Sequence, residues 1–250
     1  MQTVLQHIAQ LRKVIIICLI LAAVGVVVIY SFLLEPVMTK LTGHLTGLDI
    51  PIIYTSVTAA FTTELQVALI GGFIIAFPIN AIVIWFYIAP AFYKNEKRNI
   101  LTYAIISIIL FCAGIFFCYR YFYPFVLNFF INTTSIEMTA MLTIDSYIKF
   151  MCKIIFPFGL LCEMPIVIIF LTRHNIISVE KLGKWRKYII LLCVIVGAIL
   201  TPPDVVSQLC VAIPMYELYE SGILISRILD TAGKKKAGAE LQSSDISAEK

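Results

Sequence analysis

The chain has 250 residues, 60% of them hydrophobic, with 19 Lys and Arg against 15 Asp and Glu and a formal net charge of +4. Its mean hydropathy is +0.96. A soluble domain carries about a quarter charged residues and cannot hide this much apolar surface at this size, so a soluble enzyme, a nucleic-acid-binding domain and a disulfide-stapled secreted module are excluded.

A membrane-crossing helix needs roughly 20 apolar residues to cover about 30 Å of hydrocarbon. Residues 14–34 meet this without a charge. The run is too long for the apolar core of a cleavable signal peptide, and no small-residue cleavage pattern follows it, so it is expected to remain as a helix. Residues 65–93 are also charge-free, and residues 99–119 lead into an aromatic segment, 119–125, ended by Pro124. Residues 154–171 are apolar except for Glu163. Residues 188–200 and 205–228 follow, separated only by Thr201-Pro202-Pro203-Asp204.

The reading is an all-α integral membrane fold of six helices, the fifth and sixth short. Pro78, Pro157, Pro165 and Pro214 are read as kinks, because neighbouring helices re-satisfy freed backbone groups in lipid. The fifth run covers only about 20 Å at 1.5 Å per residue, so either the bilayer thins beside it or the helix sits behind others. A re-entrant hairpin over 188–228 fits the same pattern. Residues 1–230 form the membrane domain, and the polar stretch 231–250 is predicted to be a disordered tail. No internal repeat is visible.

Orientation follows from the cations. Fifteen Lys and Arg fall before the first run, in the loops after the second and fourth, and at or beyond the end of the last; only Lys40 falls in the opposite loops. Arg120, Lys149 and Lys153 lie at run ends, where long side chains snorkel. The asymmetry places both termini in the cytoplasm.

An ionisable residue at membrane depth is costly and is a functional candidate by default. Glu163 lies near the bilayer centre on this reading, just before Met164-Pro165. It is expected to be protonated or to hydrogen-bond a polar partner, either from another helix or from an Asn, Gln or Thr of this chain. Gln208, one turn into the last run, suits an interhelical hydrogen bond within the chain or to a partner. Glu217 and Glu220 share a helical face and are expected to pair with Arg227. Glu96 stands among Lys94, Lys97 and Arg98, ordinarily a solvated neighbour of theirs, although a carboxylate is also the natural receiver of a guanidinium fork. All seven cysteines fall in apolar runs without metal or redox spacing and read as small buried hydrophobes. There is no HExxH, GxSxG or phosphate loop; Gly71-Gly72 stands alone, and neither catalysis nor a metal or cofactor is expected.

Five local patterns resemble the TatC family, the multispanning core subunits of the twin-arginine protein translocase. They are His7-Ile8-Ala9-Gln10-Leu11-Arg12; Ile88-Ala89-Pro90 through Tyr93-Lys94-Asn95-Glu96; Phe158-Gly159 with Glu163-Met164-Pro165; Leu200-Thr201-Pro202-Pro203-Asp204 with Ser207-Gln208; and Ala212-Ile213-Pro214-Met215 with Leu218-Tyr219-Glu220. They occur in the family's order over residues 1 to about 230. The resemblance implies six helices with cytoplasmic termini, and, with no transit peptide visible, a bacterial inner-membrane location is expected rather than an organellar one. It also implies recognition of the Arg-Arg pair in signal peptides of folded preproteins, assembly with the single-span subunits TatA and TatB, self-association, and export driven by the protonmotive force.

Carried over by position, Glu96 matches the loop acid that receives signal-peptide arginine, with Lys94 beside it and Tyr87 where the family has an aromatic close to the loop. Gln10 stands where the family has an acid; its amide accepts a guanidinium hydrogen bond but carries no charge. Arg12 matches the arginine of the same motif. Glu163, Leu200, Thr201 and Gln208 match the region where partner helices dock, and Pro36 and Asp204 fall on the extracytoplasmic side. The competing reading is a proton-coupled secondary transporter using Glu163, which would predict inverted repeats.

Overall fold

The computed structural model describes residues 2–46, 52–53, 56–88, 97–133, 142–201 and 205–248. Only the backbone is described at 2–8, 44–46, 52–53, 57, 97–99, 130–133, 142, 207 and 232–248. Nine α-helices are described: α1 (Gln2–Val28), α2 (Leu34–Thr46), α3 (Val57–Ile88), α4 (Lys97–Phe117), α5 (Tyr123–Thr133), α6 (Ile144–Leu161), α7 (Met164–Arg173), α8 (Val179–Leu200) and α9 (Val205–Ala248). One exception to the all-α reading is a two-residue parallel pairing of Ile52–Ile53 with Leu142–Thr143.

Several helices merge into longer units. A π-helical segment, Ile29–Leu33, joins α1 to α2, and a second, Cys118–Phe122, joins α4 to α5. Each lies a few residues ahead of a proline, Pro36 and Pro124. Proline lacks the N–H of the regular ladder and its ring crowds the preceding turn, and a local widening is one way a helix accommodates it. The third run therefore does not end at Pro124 but continues to Thr133, and Pro36 lies within a helix rather than in a loop.

Among the described residues, five candidate spans are long and apolar enough to cross a membrane: Ala9–Gly43, Thr58–Ile88, Ile100–Phe129, Ile144–Arg173 and Gln208–Thr231. The fourth begins ten residues earlier than its purely apolar stretch, at Ile144, where α6 starts, and Asp145 and Lys149 in its first turns form an i,i+4 ion pair at 2.8 Å. The remaining candidate, 188–200, lies on α8. The 22 residues of α8 reach about 33 Å, enough to cross, but its first turns carry Lys181, Lys184, Arg186 and Lys187. Shortness therefore belongs to the apolar stretch and not to the helical backbone, and α9 is 44 residues long. The α9 backbone is helical through the polar stretch where composition predicts disorder; Ala, Lys, Glu, Gln and Leu there are good helix formers.

The chain divides into two compact units, Met1–Leu160 and Leu161–Lys250. In the first, α1 and α3 run antiparallel, crossing at Gly25 and Gly72 and meeting again where Asn80 Nδ2 donates to the Cys18 carbonyl at 3.5 Å. A Cβ on Gly72 would lie 2.6 Å from Val26 Cα, so only glycine permits this backbone-on-backbone approach. Helix α4 packs antiparallel to α3 through stacked rings, Phe77 on Phe111 at 3.5 Å and Trp85 on Tyr103 at 5.3 Å. Phe158 on α6 stacks with Phe117 and Phe122, and Tyr123 meets Tyr147 edge-on.

In the second unit, α7 and α8 are joined by a tight turn in which Asn175 adopts φ 56°, a left-handed conformation that its short polar side chain tolerates. Ser178 caps α8 by accepting from the Lys181 amide. Helix α9 runs antiparallel to α8 and parallel to α7, and Ile168, Leu182, Tyr219 and Ile223 form the buried core between the three. Outside both cores, large apolar side chains such as Phe32 (80% exposed) and Ile199 (72% exposed) stand open, as expected of surfaces that face acyl chains.

Candidate functional site

Two groups of candidate residues emerge from the chain, one at the loop end of the α1–α3 pair and one in the three-helix second unit. Antiparallel pairing builds the first. From the Cys18–Asn80 contact, six residues back along α1 reach Arg12 and seven forward along α3 reach Tyr87, each about 9–11 Å away in the same direction. Gln10, Arg12 and Tyr87 are thus brought to one end of one helix pair. Gln10 and Arg12 are both exposed but two residues apart, and so point to different sides of α1. Tyr87 is half-buried, one residue before the end of α3. Glu96 and Lys94, the other two residues of this group, lie outside the described residues, as do the fifth-to-sixth turn residues Pro202 to Asp204.

Glu163 begins the second group. Helix α6 stops at Leu161, and Cys162 and Glu163 form a turn before α7 starts at Met164 with Pro165 at its second position. The helix is therefore interrupted just before the proline, whose missing N–H costs nothing in a first turn. Glu163 is the N-cap residue of α7, partly buried, and its carbonyl accepts the Val167 amide at 3.1 Å. Its side chain makes no capping hydrogen bond to the first turn of α7. It stands about five residues, roughly 7 Å, past the middle of the Ile144–Arg173 span.

Gln208, Leu200 and Thr201 cluster at the α8–α9 turn. Gln208 Nε2 donates to the Val194 carbonyl at 2.8 Å, so within this chain the amide joins α9 to α8. A Cβ on Gly197 would come within 2.9 Å of the Gln208 carbonyl, which makes the glycine a condition of that closeness. Thr201 is buried and turns inward, its N–H and Oγ1–H both donating to the Gly197 carbonyl at 2.9 Å. Leu200 is half-buried and Pro36 exposed on α2.

Glu220 does not pair with Arg227. It receives a fork from Arg186 of α8, Nε to Oε2 at 3.0 Å and the second guanidinium nitrogen to Oε1. Antiparallel packing brings Arg186 across from Glu220, whereas Arg227 lies two turns along the same helix, beside Val179, Glu180, Asp230 and Thr231. Glu217 is exposed. Not every cysteine is buried: Cys118, Cys152, Cys162 and Cys193 are, Cys18 and Cys210 are half-buried, and Cys112 is exposed on a helix face of the kind that meets lipid.

The sequence reading passed over Asn80 and the Gly25–Gly72 crossing. Asn80 is 9% exposed and its Oδ1 has no hydrogen-bond partner among the described residues. The available signals were an amide in an otherwise apolar run and the Gly71-Gly72 pair within it.

The sequence model of the Sec-independent protein translocase protein (TatC) family matches residues 6–214. This chain belongs to the TatC family. Among curated relatives, the Sec-independent protein translocase protein TatC of Carboxydothermus hydrogenoformans is 38% identical, over 94% of this chain and 98% of that one. The TatC protein of Escherichia coli K12 is 32% identical, over 94% of this chain and 92% of that one. A crystal structure of a twin-arginine translocase receptor, TatC, in the detergent DDM superposes with a TM-score of 0.82 at 33% identity, covering 88% of this chain and 99% of that one. The chain is therefore a multi-pass membrane component of a Sec-independent protein translocase, a transport protein rather than an enzyme. The family match gives the proton-coupled carrier reading no support.

Proposed function

We propose that this TatC-family chain is the core and signal-peptide receptor subunit of a twin-arginine translocase in a bacterial inner membrane, with both termini cytoplasmic. It binds the Arg-Arg signal peptides of folded preproteins and assembles with TatA and TatB, and with further copies of itself, for export driven by the protonmotive force. The observation that carries the reading is the similarity, over nearly the whole chain, to a solved protein described as a twin-arginine translocase receptor. The orientation is supported by the cation asymmetry.

Chemically, Glu96 is the receptor group, because a carboxylate takes a guanidinium as a two-bond fork that an ammonium cannot reproduce. Gln10 adds an uncharged acceptor and Tyr87 an aromatic face, Arg12 orients its segment, and Lys94, with Lys97 and Arg98, repels stray cations. Glu163, with Leu200, Thr201 and Gln208, receives partner helices; Pro36 and Asp204 belong to the extracytoplasmic side. Residues 1–230 are the translocase domain and 231–250 its cytoplasmic tail.

Photo-crosslinking tests the receptor assignment. A photoreactive residue at Asn95 is offered an Arg-Arg signal peptide and its Lys-Lys variant in native membranes. Capture of the Arg-Arg peptide alone, abolished by Glu96→Ala, is the expected result. Equal capture of both peptides, or of neither, would overturn the assignment of this loop.

A further inference from the structure

The first unit contains an apolar groove of about 240 Å³ between α2, α3, α6 and the end of α4 with its π-helical extension. Val67, Ile70 and Ile74 of α3 form one wall, Ile155 lines it from α6, and Lys40 and Tyr119 line it together. Its depth in the membrane follows from the spans. Ile74 is at the middle of Thr58–Ile88, Val67 is about 9 Å nearer one end, and Lys40 is three residues from the end of Ala9–Gly43. The groove therefore runs from mid-bilayer to the boundary.

The groove is held in shape by specific bonds. Tyr119 donates its hydroxyl to the Lys40 carbonyl at 2.7 Å, and Tyr147 donates to the Leu41 carbonyl at 3.0 Å, so two tyrosines pin α2 over it. Both π-helical segments adjoin it. Ile29 of the first meets Gly71, a lining residue, and Tyr119 belongs to the second. Such segments recur at functional sites.

We propose that this groove holds one acyl chain of an anionic phospholipid, whose phosphate is met by the Lys40 ammonium. Three observations select that occupant. The lining is apolar, and a cavity of this kind does not hold water. Its volume, about 240 Å³, is less than that of a single turn of a helix, which is about 10 Å across with its side chains and rises about 5.4 Å per turn. The one cationic residue of its lining, Lys40, lies at membrane-boundary depth, is exposed and makes no ion pair among the described residues. The inference concerns unit 1 alone and does not depend on signal-peptide binding.

Native mass spectrometry of the purified full-length chain, equilibrated in micelles with equal phosphatidylglycerol and phosphatidylcholine, tests it. One phosphatidylglycerol per chain above the statistical background is expected. Ile70→Trp fills the groove and cuts occupancy about tenfold, the worth of one or two buried methylenes. Ile70→Phe, a smaller insertion that preserves the fold, lowers occupancy in the same direction. Lys40→Gln, an exposed change, removes about fivefold of the preference for the anionic lipid. No lipid above background, or occupancy unchanged in both groove-filling variants, overturns the site. An unchanged lipid preference in Lys40→Gln overturns the headgroup contact.

Discussion

Gln208 of α9 donates its side-chain amide to the Val194 carbonyl of α8 at 2.8 Å, beside Gly197, where no larger residue fits. A residue that resemblance assigns to partner docking is thus also a tie between two helices of its own chain. In a membrane such bonds are worth about 0.6–1.7 kcal/mol. Gln208→Leu is expected to lower unfolding stability by that amount, read in a denaturation series on purified protein. Gly197→Ala adds a Cβ against the α9 backbone and lowers it at least as much. Crosslinking of a partner helix that falls far more than stability in Gln208→Leu would reveal a docking role beyond the internal tie.

The Arg186–Glu220 fork joins the same two helices nearer the basic end of α8. Its side chains are 39% and 37% exposed, so solvent screens the pair and its coupling is about 1 kcal/mol at most. A double-mutant cycle with Arg186→Gln and Glu220→Gln measures that coupling. Raising the salt concentration shrinks it, and Arg186→Lys recovers only part of it, since an ammonium cannot reproduce the fork.

Gly72→Ala is predicted to be among the most damaging conservative changes outside the candidate site. The new Cβ would sit 2.6 Å from Val26 Cα, and relief requires α1 and α3 to separate. Overpacking of this kind costs about 1–3 kcal/mol. Gly71→Ala is the control: the nearest atoms to its Cβ are Ile29 side-chain atoms, at 3.4 Å or more, and it should be tolerated. Accumulation in membranes and resistance to heating distinguish the two variants.

Asn80→Leu has the opposite expected sign. The amide makes one long bond, 3.5 Å to the Cys18 carbonyl, while its buried Oδ1 lacks a partner among the described residues. Replacing such a group with an apolar one of similar size is neutral or stabilising. A thermal transition at or above that of the unaltered chain is therefore expected. A transition lowered by several degrees would show that the amide contributes more than its visible bond. Loss of export with stability unchanged would mark Asn80 as functional.

Much of this protein is legible from local sequence because lipid acts on one residue at a time. Runs such as 14–34 and 65–93 partition into hydrocarbon whatever their neighbours do, and Lys94, Lys97 and Arg98 mark a boundary by their hydration alone. The membrane class and the approximate positions of the spans follow from that; the motifs around Gln10, Glu96 and Glu163 are legible by their resemblance to the family. The break at Cys162–Glu163 was foreshadowed by Pro165, since proline acts on its own turn.

What only the tertiary structure decided concerns which surfaces meet. A helix that is apolar all round carries no amphipathic stripe, so no pattern says which side of α3 touches α1 and which touches lipid. Gly25 and Gly72, 47 positions apart, become one contact only through antiparallel crossing. Glu220 takes Arg186 from another helix rather than Arg227 from its own, because packing of α8 against α9 brings that guanidinium across from it. Pro124 reads as an end and Pro36 as part of a loop, yet the helices widen and continue, since in a membrane ending a helix leaves backbone groups unsatisfied and a π-helical turn leaves fewer. Transfer free energy, additive along the chain, placed the helices in the bilayer; close packing, which depends on residues far apart in sequence, decided how they fit.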